Sequence, residues 1–466
     1  MEIFGKKLSN EAIALIAILF FAFVIRVVYL GNSALWIDEA ISGIASQEIL
    51  EKGVPVLDSG LLYGRALFFH YLQAGSLLFG VNDFTLRIIS VLFGLLTIIL
   101  GYFIGNEYTK GKSGGIITAL FLAVFYLEVF YSRQGRFYQL FQLAFFASLY
   151  FLYKSKEEPK FIYLSLISFF IALDTQIAAL VLAPFFILFI LYYNKNKYLA
   201  IIPSIPLVWK IIEALSVVSQ TGSQEAVNYA SKYAGFTGNV RYLLILFIPG
   251  VIWGFKRKRL LTSMIIIPSL ALLGGVFFAK YFALRYVYFI VFPLILYSSV
   301  LLGLLYEKYG KIMLLSIFFV LIFPSNLFFP FGYVNILTPV SQDYRDNSSP
   351  EINYKELPLD IQEELRNTDK TIIVFFSPSF EWYIDKPDYV MPFSMSGEGE
   401  DGISYEGNDI YSGAEILKEK PSGPYYLIVD RFAEGKLKEA QKQSLNSLKE
   451  NCKEYYKTPD ITIYDC

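Results

Sequence analysis

The chain has 466 residues, of which 55% are hydrophobic, 18% are aromatic and only 17% are charged. Soluble domains carry about 25% charged residues, so this composition excludes a wholly soluble protein and places much of the chain in lipid. The net charge of −1 is the sum of two oppositely charged regions. Residues 1–333 contain 26 Lys and Arg and 16 Asp and Glu, whereas residues 334–466 contain 14 Lys and Arg and 25 Asp and Glu. This distribution predicts a basic membrane region followed by an acidic soluble tail.

The first apolar run, residues 12–30, is too long for a cleavable signal peptide and lacks a small-residue cleavage site. We expect it to be a signal anchor and the first membrane-spanning helix. A long loop, residues 31–83, follows it and opens with the sequence LWIDEA, which contains Trp36, Asp38 and Glu39.

The second half of this loop contains an apolar segment, residues 62–80, that is interrupted by Arg65, His70 and Gln73. If this segment crossed the membrane, every later basic loop would move to the opposite side. We therefore predict an interfacial or re-entrant helix within the loop.

The remaining apolar runs predict ten further crossings, since a helix needs about 20 apolar residues to cross the hydrocarbon. The run 161–193 is too long for one helix and is broken by Asp174-Thr175-Gln176, so a hairpin of two helices is expected. The other eight runs lie near residues 84–104, 114–131, 137–153, 198–217, 242–255, 260–278, 286–305 and 312–330. The predicted fold is a polytopic α-helical membrane protein with about eleven transmembrane helices.

Basic residues fall in alternate loops of this arrangement. They include Lys6 and Lys7, Lys110 and Lys112, Lys154 to Lys160, Lys195 and Lys197, Lys256 to Arg259, and Lys308 and Lys311. Because positively charged loops stay in the cytoplasm, the amino terminus is predicted to be cytoplasmic and the tail extracytoplasmic. The expected location is the cell membrane, with residues 1–332 as the transmembrane domain.

The tail, residues 333–466, alternates apolar runs at 371–376 and 425–430 with a polar helical stretch at 434–450. This pattern predicts a small extracytoplasmic α/β domain. Both cysteines of the chain, Cys452 and Cys466, lie in it. A disulfide closing the last hairpin and two free thiols are both compatible with the sequence.

Charged residues at the outer ends of the predicted spans are informative, because placing them near lipid is costly. The set comprises Arg26, Asp38, Glu39, Arg87, Arg133, Arg136, Lys280 and Arg285. An acidic pair could supply a general base that takes a proton from an acceptor hydroxyl as it attacks a sugar carbon. Arginines could bind a phosphate and stabilise the charge that builds on it as it leaves. A phosphate carried by a long lipid would lie at this boundary.

Each of these residues also has a structural interpretation. Arg26 and Arg87 could extend to the interface without binding a ligand, and the acidic pair could cap an interfacial helix. Trp36 fits an aromatic belt better than a sugar platform. The only histidine, His70, is better explained as an interfacial or packed residue than as a catalyst.

The motifs resemble the polyprenyl-phosphate-dependent glycosyltransferases of the GT-C superfamily, above all the dolichyl-phosphate-mannose protein mannosyltransferase and aminoarabinose transferase group. The likeness rests on LWIDEA after the first span, FGVNDFTLRIISVLFG at the second, YSRQGRFYQL between the third and fourth, and LRYVYFIVFPLIL later in the chain. It covers residues 12–155 well, the region near residue 285 moderately, and the tail only in its general layout.

The resemblance implies roles for individual residues. Asp38 would be the catalytic acid, with Glu39 beside it. Arg133, Arg136 and Arg285 would hold the lipid phosphate, with Tyr138 and Tyr286 as their neighbours; we place Arg87 in the same phosphate group and Trp36 and Lys280 in the pocket. Asp174-Thr175-Gln176 departs from the family, which often has a histidine at that turn. No cofactor is required by the sequence; a divalent cation is an option, with Asp38 and Glu39 as its ligands.

The favoured hypothesis is an inverting hexosyltransferase, mannose being one candidate sugar, that uses a dolichyl or undecaprenyl phosphate donor and a protein, glycan or lipid acceptor. Its partners would be this donor, the acceptor and membrane lipids, and no nucleic acid is expected. A flippase for lipid-linked sugars is the first alternative, but it would need polar groups along a path through the bilayer. A non-catalytic membrane scaffold is the second alternative, and it would not need arginines and an acidic pair on one face.

Overall fold

The computed structural model describes residues 2–3, 6–7, 9–193, 204–212, 230–276, 284–310, 352–375, 377–391, 408–437 and 439–466. Its first part is mostly helical. The helices are α1 Asn10–Val27, α2 Ile37–Lys52, α3 Leu67–Leu77, α4 Asp83–Asn106, α5 Ser113–Val124, α6 Tyr126–Ser132, α7 Tyr138–Lys154, α8 Phe161–Thr175, α9 Ala183–Tyr193, α10 Ala230–Val276, α11 Leu284–Val287 and α12 Val291–Tyr309. Residues 204–212 are also helical, and a short hairpin of β1 Glu2–Ile3 and β2 Lys6–Lys7 precedes α1.

Residue contacts divide the chain into two compact units. The helical unit comprises Met1–Leu30, Arg65–Phe69 and Arg87–Asp346, and the loop–tail unit comprises Gly31–Gly64, His70–Leu86 and Asn347–Cys466. The long loop between α1 and α4 therefore packs mainly with the tail of the chain. The boundary predicted at residues 332 and 333 lies outside the described residues.

Four described helical stretches are long and apolar enough to cross a membrane: Asn10–Val27, Asp83–Asn106, Leu243–Gly275 and Arg285–Tyr309. The bent pair α5 and α6 adds a fifth if it forms one span. All five coincide with predicted crossings, and Leu243–Gly275 covers two of them. The predicted crossing at 312–330 lies outside the described residues, so the total of eleven stays a prediction.

The third predicted crossing is broken between α5 and α6, and a buried arginine contacts the break. The chain bends by 62° between α5 and α6, and the Arg26 side chain donates to the carbonyls of Leu122 (3.0 Å) and Ala123 (2.7 Å) at that break. The guanidinium thus satisfies carbonyls at the end of α5 that have no partner within the helix. Arg26 is fully buried, so it does not extend to the interface as one interpretation suggested.

Two other predicted breaks are present in the structure. The hairpin predicted at residues 161–193 is interrupted after Thr175, where α8 ends and a 3₁₀ turn, Ile177–Leu182, begins. Helix α10 is interrupted at Lys258, whose φ of −140° and ψ of 65° are not helical. Lys258 lies in the basic run Lys256 to Arg259 that was predicted to be a loop between two spans.

The loop between α1 and α4 contains two helices. Helix α2 ends at Gly53, which has a φ of 77° and closes the helix in the left-handed conformation that glycine adopts readily. Helix α3 has 11 residues. At 1.5 Å per residue it is about 16 Å long, which is too short to cross a bilayer and is compatible with the interfacial helix predicted there.

The tail folds around a six-stranded mixed sheet of order β5-β4-β3-β6-β8-β7. Its strands are β3 Thr371–Val374, β4 Tyr389–Val390, β5 Glu415–Ile416, β6 Tyr425–Asp430, β7 Lys453–Lys457 and β8 Ile461–Asp465, and its helices are α13 Leu359–Asn367, α14 Ser377–Tyr383, α15 Arg431–Lys436 and α16 Glu439–Lys449. Strand β6 pairs in parallel with β3 and antiparallel with β8. All six residues of β6 are buried, as expected for a central strand covered on both faces.

The hairpin of β7 and β8 brings the two cysteines together at the end of the chain. In the structure Cys452 and Cys466 are joined by a disulfide with an S–S distance of 2.08 Å. Of the two possibilities left open by the sequence, the structure therefore contains the bonded form.

Glu381 in α14 gives a prediction about stability. Burial, together with repulsion from Asp58, raises the pKa of the Glu381 carboxyl to about 7. The folded protein therefore holds this proton more tightly than the unfolded chain does, and the ionised form is penalised. Stability should fall as the pH rises from about 4.5 to about 7, by up to roughly 3 kcal/mol at 1.36 kcal/mol per pKa unit.

The measurement is thermal unfolding of the full-length protein in detergent at pH 5 and pH 8. We expect Glu381→Gln to reduce the loss of stability between these two pH values and to be more stable than the native protein at pH 8. Glu363→Gln, at an exposed position of α13, is the control and should follow the native protein. The same pH dependence in all three proteins would contradict the assignment.

Candidate active site

The acidic pair lies in the first turn of α2, within the loop–tail unit. Asp38 is half-buried, and its backbone carbonyl accepts a hydrogen bond from the Ser42 hydroxyl at 3.1 Å. Glu39 is almost fully buried, with 1% of its surface exposed. Its carboxylate accepts the backbone N–H of Trp36 at 3.4 Å, which is one half of a capping box.

The two acids therefore have different environments. Glu39 caps the helix, so the structural interpretation of the pair applies to it. Asp38 is only partly buried, and its role in catalysis stays a prediction. Trp36 is the buried N-cap residue of α2, which fits neither an aromatic belt nor a sugar platform on the surface.

Two predicted phosphate-binding arginines meet the end of α1 in the helical unit. Arg133 donates from Nη1 to the carbonyl of Ile25 at 2.9 Å, and Arg87 donates from Nη1 to the carbonyl of Leu30 at 2.9 Å. Both side chains are buried, and they are close enough to repel each other electrostatically. The Ile25 carbonyl lies in the last turn of α1, where unpaired carbonyls attract cations, and Leu30 lies three residues beyond the end of the helix.

Arg136 is buried in the turn that joins α6 to α7. The Ser90 hydroxyl of α4 donates to its backbone carbonyl at 3.1 Å, which ties this turn to the helix that carries Arg87. Its guanidinium lies 4.6 Å from the centre of the Phe137 ring and 5.8 Å from that of Tyr138. Arg136 and Tyr138 are thus neighbours in the structure, and their role in a phosphate pocket stays a prediction.

Arg65 joins this group, although it was not among the predicted site residues. Its guanidinium lies 4.7 Å from the Phe137 ring, the same ring that Arg136 contacts. The signal in the sequence is a charge within an otherwise apolar segment, which is the kind of residue that marks a functional position near a membrane. We call Arg65, Arg87, Arg133 and Arg136 the arginine group.

Arg285 and Tyr286 begin the last described part of the helical unit. Both are half-buried in α11, and the Arg285 guanidinium lies 5.3 Å from the centre of the Tyr286 ring. Lys280, the other pocket residue predicted in this region, lies outside the described residues.

A buried polar network connects this region with α6 and α7. The Tyr288 hydroxyl is 2.7 Å from Glu128 Oε2 and 2.6 Å from Gln139 Oε1, and Gln142 donates to Glu128 Oε1 at 2.9 Å. The Tyr288 ring also packs against Tyr131, with ring centres 4.1 Å apart. Glu128 therefore helps to fix the helices on both sides of the turn that carries Arg133 and Arg136.

Asp174 anchors the chain next to Arg65. Its carboxylate accepts the backbone N–H of Phe68 at 3.0 Å, and its carbonyl accepts that of Ala66 at 2.9 Å. Lys210 is 3.6 Å from the same carboxylate. These contacts give a structural reason for an acid at the turn where the family often has a histidine.

Ligands for a metal ion are few in this arrangement. Within the residues that the structure describes, no three His, Cys, Asp or Glu side chains are grouped so that they could hold an ion. Of the pair predicted for a cation, Glu39 is already engaged in capping α2. We therefore derive no chemical step through a metal.

A comparison with protein families matches residues 65–223 to the family described as dolichyl-phosphate-mannose-protein mannosyltransferase. The matched stretch contains the whole arginine group. No curated protein matched the chain in a sequence comparison.

The fold is similar to that of solved GT-C glycosyltransferases. ArnT from Cupriavidus metallidurans in the apo state gives a TM-score of 0.64 at 12% identity, covering 98% of both chains. The same protein bound to undecaprenyl phosphate gives 0.63 at 12% identity and the same coverage. The apo oligosaccharyltransferase of Archaeoglobus fulgidus gives 0.52 at 12% identity, covering 89% of this chain and 69% of that chain. With the family match, these findings confirm the predicted resemblance and the predicted enzyme class, a glycosyltransferase.

Proposed function

We propose that this protein transfers a single hexose, mannose being one candidate, from a dolichyl or undecaprenyl phosphate to an acceptor on the extracytoplasmic face. The acceptor would be a protein, a glycan or a lipid. The observation that carries the proposal is the arginine group, which gathers four cationic side chains around the ends of α1 and α4 and the turn before α7. Such a cluster suits a phosphate that is attached to a membrane lipid.

In the proposed reaction, a hydroxyl of the acceptor attacks the anomeric carbon of the sugar. Asp38 accepts the hydroxyl proton as the new carbon–oxygen bond forms. The bond between the anomeric carbon and the phosphate oxygen breaks, and the electron pair leaves with the polyprenyl phosphate. This direct displacement inverts the anomeric centre, and the arginine group and Arg285 stabilise the charge on the leaving phosphate.

The family match and the fold support this donor class. The matched family is described by its dolichyl-phosphate-mannose donor, and ArnT has been crystallised with undecaprenyl phosphate. The basic loops support an orientation with the amino terminus in the cytoplasm and the tail outside, in the cell membrane. The proposed division is a transmembrane domain over residues 1–332 and an α/β domain over 333–466.

The test is to incubate the purified protein, in lipid vesicles, with dolichyl-phosphate and undecaprenyl-phosphate sugars and a set of protein, glycan and lipid acceptors. Mass spectrometry should detect free polyprenyl phosphate together with an acceptor that has gained one sugar, and NMR of the product should show the inverted anomeric configuration. An acceptor that carries the phosphate or several sugars would contradict the single-sugar transfer. Movement of the intact lipid-linked sugar across the vesicle, without cleavage, would favour the flippase alternative.

A further inference from the structure

The tail reaches the start of α4 through one buried carboxylate. Asp83, the first residue of α4, is 4% exposed. Its Oδ1 accepts the Trp382 indole N–H at 2.9 Å, and its Oδ2 accepts the Tyr383 hydroxyl at 2.9 Å and lies 2.9 Å from the Lys355 ammonium group. We call Lys355, Trp382 and Tyr383 with their shared acceptor the Asp83 clamp. One cation and two neutral donors compensate the charge of the buried carboxylate and the loss of its hydration. The directions of these hydrogen bonds fix the position of Asp83 relative to the three donors.

The clamp also holds the residues just before Asp38. The Tyr383 oxygen that donates to Asp83 accepts the backbone N–H of Leu35 at 2.7 Å. Ile37, the immediate neighbour of Asp38, is part of the hydrophobic core that surrounds β3 and β6 of the tail. Both sides of Trp36 are thus fixed by the tail, one by a hydrogen bond and the other by burial.

Helix α2 itself packs against the clamp. The Trp382 ring lies on Gly43, one and a half turns after Asp38, and a Cβ atom at that position would overlap the ring. Glycine is therefore required here by close approach of the indole to the helix backbone. Trp382 and Tyr383 also pack against the buried cluster of Leu35, Ala40, Leu77 and Leu86.

We infer that the C-terminal domain is a positioning element for Asp38, acting through the Asp83 clamp. The inference rests on the proposed function, in which Asp38 is the base. The tail fixes the chain before Asp38 and the helix after it, so the direction of the Asp38 carboxylate is set by residues more than 300 positions away. Displacement of a catalytic group by about 1 Å can lower a rate by about a hundredfold, so such support matters for the reaction.

The test compares two variants that each remove one hydrogen-bonded tyrosine hydroxyl from the tail. Tyr383→Phe loses the bonds to Leu35 and Asp83 and keeps the ring. Tyr425→Phe is the matched control, because its hydroxyl donates to the carbonyl of Leu448, at 2.6 Å, within the tail. We expect Tyr383→Phe to lower kcat by about tenfold or more with the donor KM within about twofold, and Tyr425→Phe to keep the native kcat.

A second measurement does not depend on activity. Hydrogen–deuterium exchange of the peptide that spans residues 35–45 should accelerate in Tyr383→Phe at least threefold, and should be unchanged in Tyr425→Phe. Faster exchange with a native kcat would overturn the catalytic role of the clamp, and unchanged exchange would overturn the contact itself. Equal losses of kcat in the two variants would show a general effect of tail stability and also overturn the inference. Failure of the native protein to transfer any sugar would instead overturn the proposed function, while the exchange data would still decide whether the tail holds α2.

Discussion

Asp38→Asn is expected to lower sugar transfer by about a hundredfold to ten-thousandfold, the range that general-base catalysis contributes. Asparagine has the same shape but cannot accept the proton of the attacking hydroxyl. Asp38 is partly buried in the first turn of α2, so the stability of the variant has to be compared with that of the native protein. The measurement is kcat for transfer, together with the unfolding temperature of each protein.

Glu39→Gln is the matched control for this prediction, one residue away. The Glu39 side chain caps α2, and glutamine keeps an oxygen that accepts the same backbone N–H, so the change should lower stability by less than about 1 kcal/mol. We expect Glu39→Gln to retain much more activity per folded molecule than Asp38→Asn. If Asp38→Asn transferred sugar at the native rate, Asp38 would have no role in the chemistry; if Glu39→Gln were the inactive variant, the two roles would be exchanged.

Arg136→Gln is expected to lower kcat by about a hundredfold, because in the proposed function this cation stabilises the charge of the leaving phosphate. Arg136 belongs to a group of four arginines, so the neighbours should keep the turn folded and some affinity for phosphate. Arg136→Lys should lose less, since it retains the charge but not the planar, two-pronged hydrogen-bonding geometry. Arg257→Gln, at an exposed position of the basic run in α10, is the control and should retain the native rate.

Binding of the sugar-free polyprenyl phosphate separates this effect from that of the base. Its affinity, measured by titration in detergent, should fall by about tenfold or more in Arg136→Gln. It should be close to native in Asp38→Asn, because the base acts on the acceptor and not on the phosphate. Native affinity in Arg136→Gln would remove Arg136 from the phosphate site.

The predictions for Asp38 and Arg136 rest on different evidence. The family match includes Arg136 and the rest of the arginine group but not Asp38, which precedes residue 65. The proposed role of Asp38 therefore rests on the LWIDEA resemblance and on its partly buried position in the first turn of α2. The effect of Asp38→Asn is consequently the more informative of the two results.

Several features could be predicted from the sequence because they follow from local rules. A membrane requires about 20 apolar residues per crossing, so composition alone located the spans that the structure describes. The breaks at Thr175 and Lys258 coincide with polar and basic residues inside apolar runs. The α/β character of the tail followed from its alternating apolar and polar segments.

Only the tertiary structure showed which residues are buried as structural groups and which distant residues contact them. Asp38 and Glu39 are adjacent acids in the sequence, but in the structure Glu39 is buried as a cap whereas Asp38 is only partly buried. Arg65 enters the arginine group because α3 begins beside the turn that contains Phe137. Trp382 and Tyr383 support α2 from more than 300 residues away. Periodicity and composition report which solvent a segment prefers, whereas these contacts depend on which distant surfaces pack together.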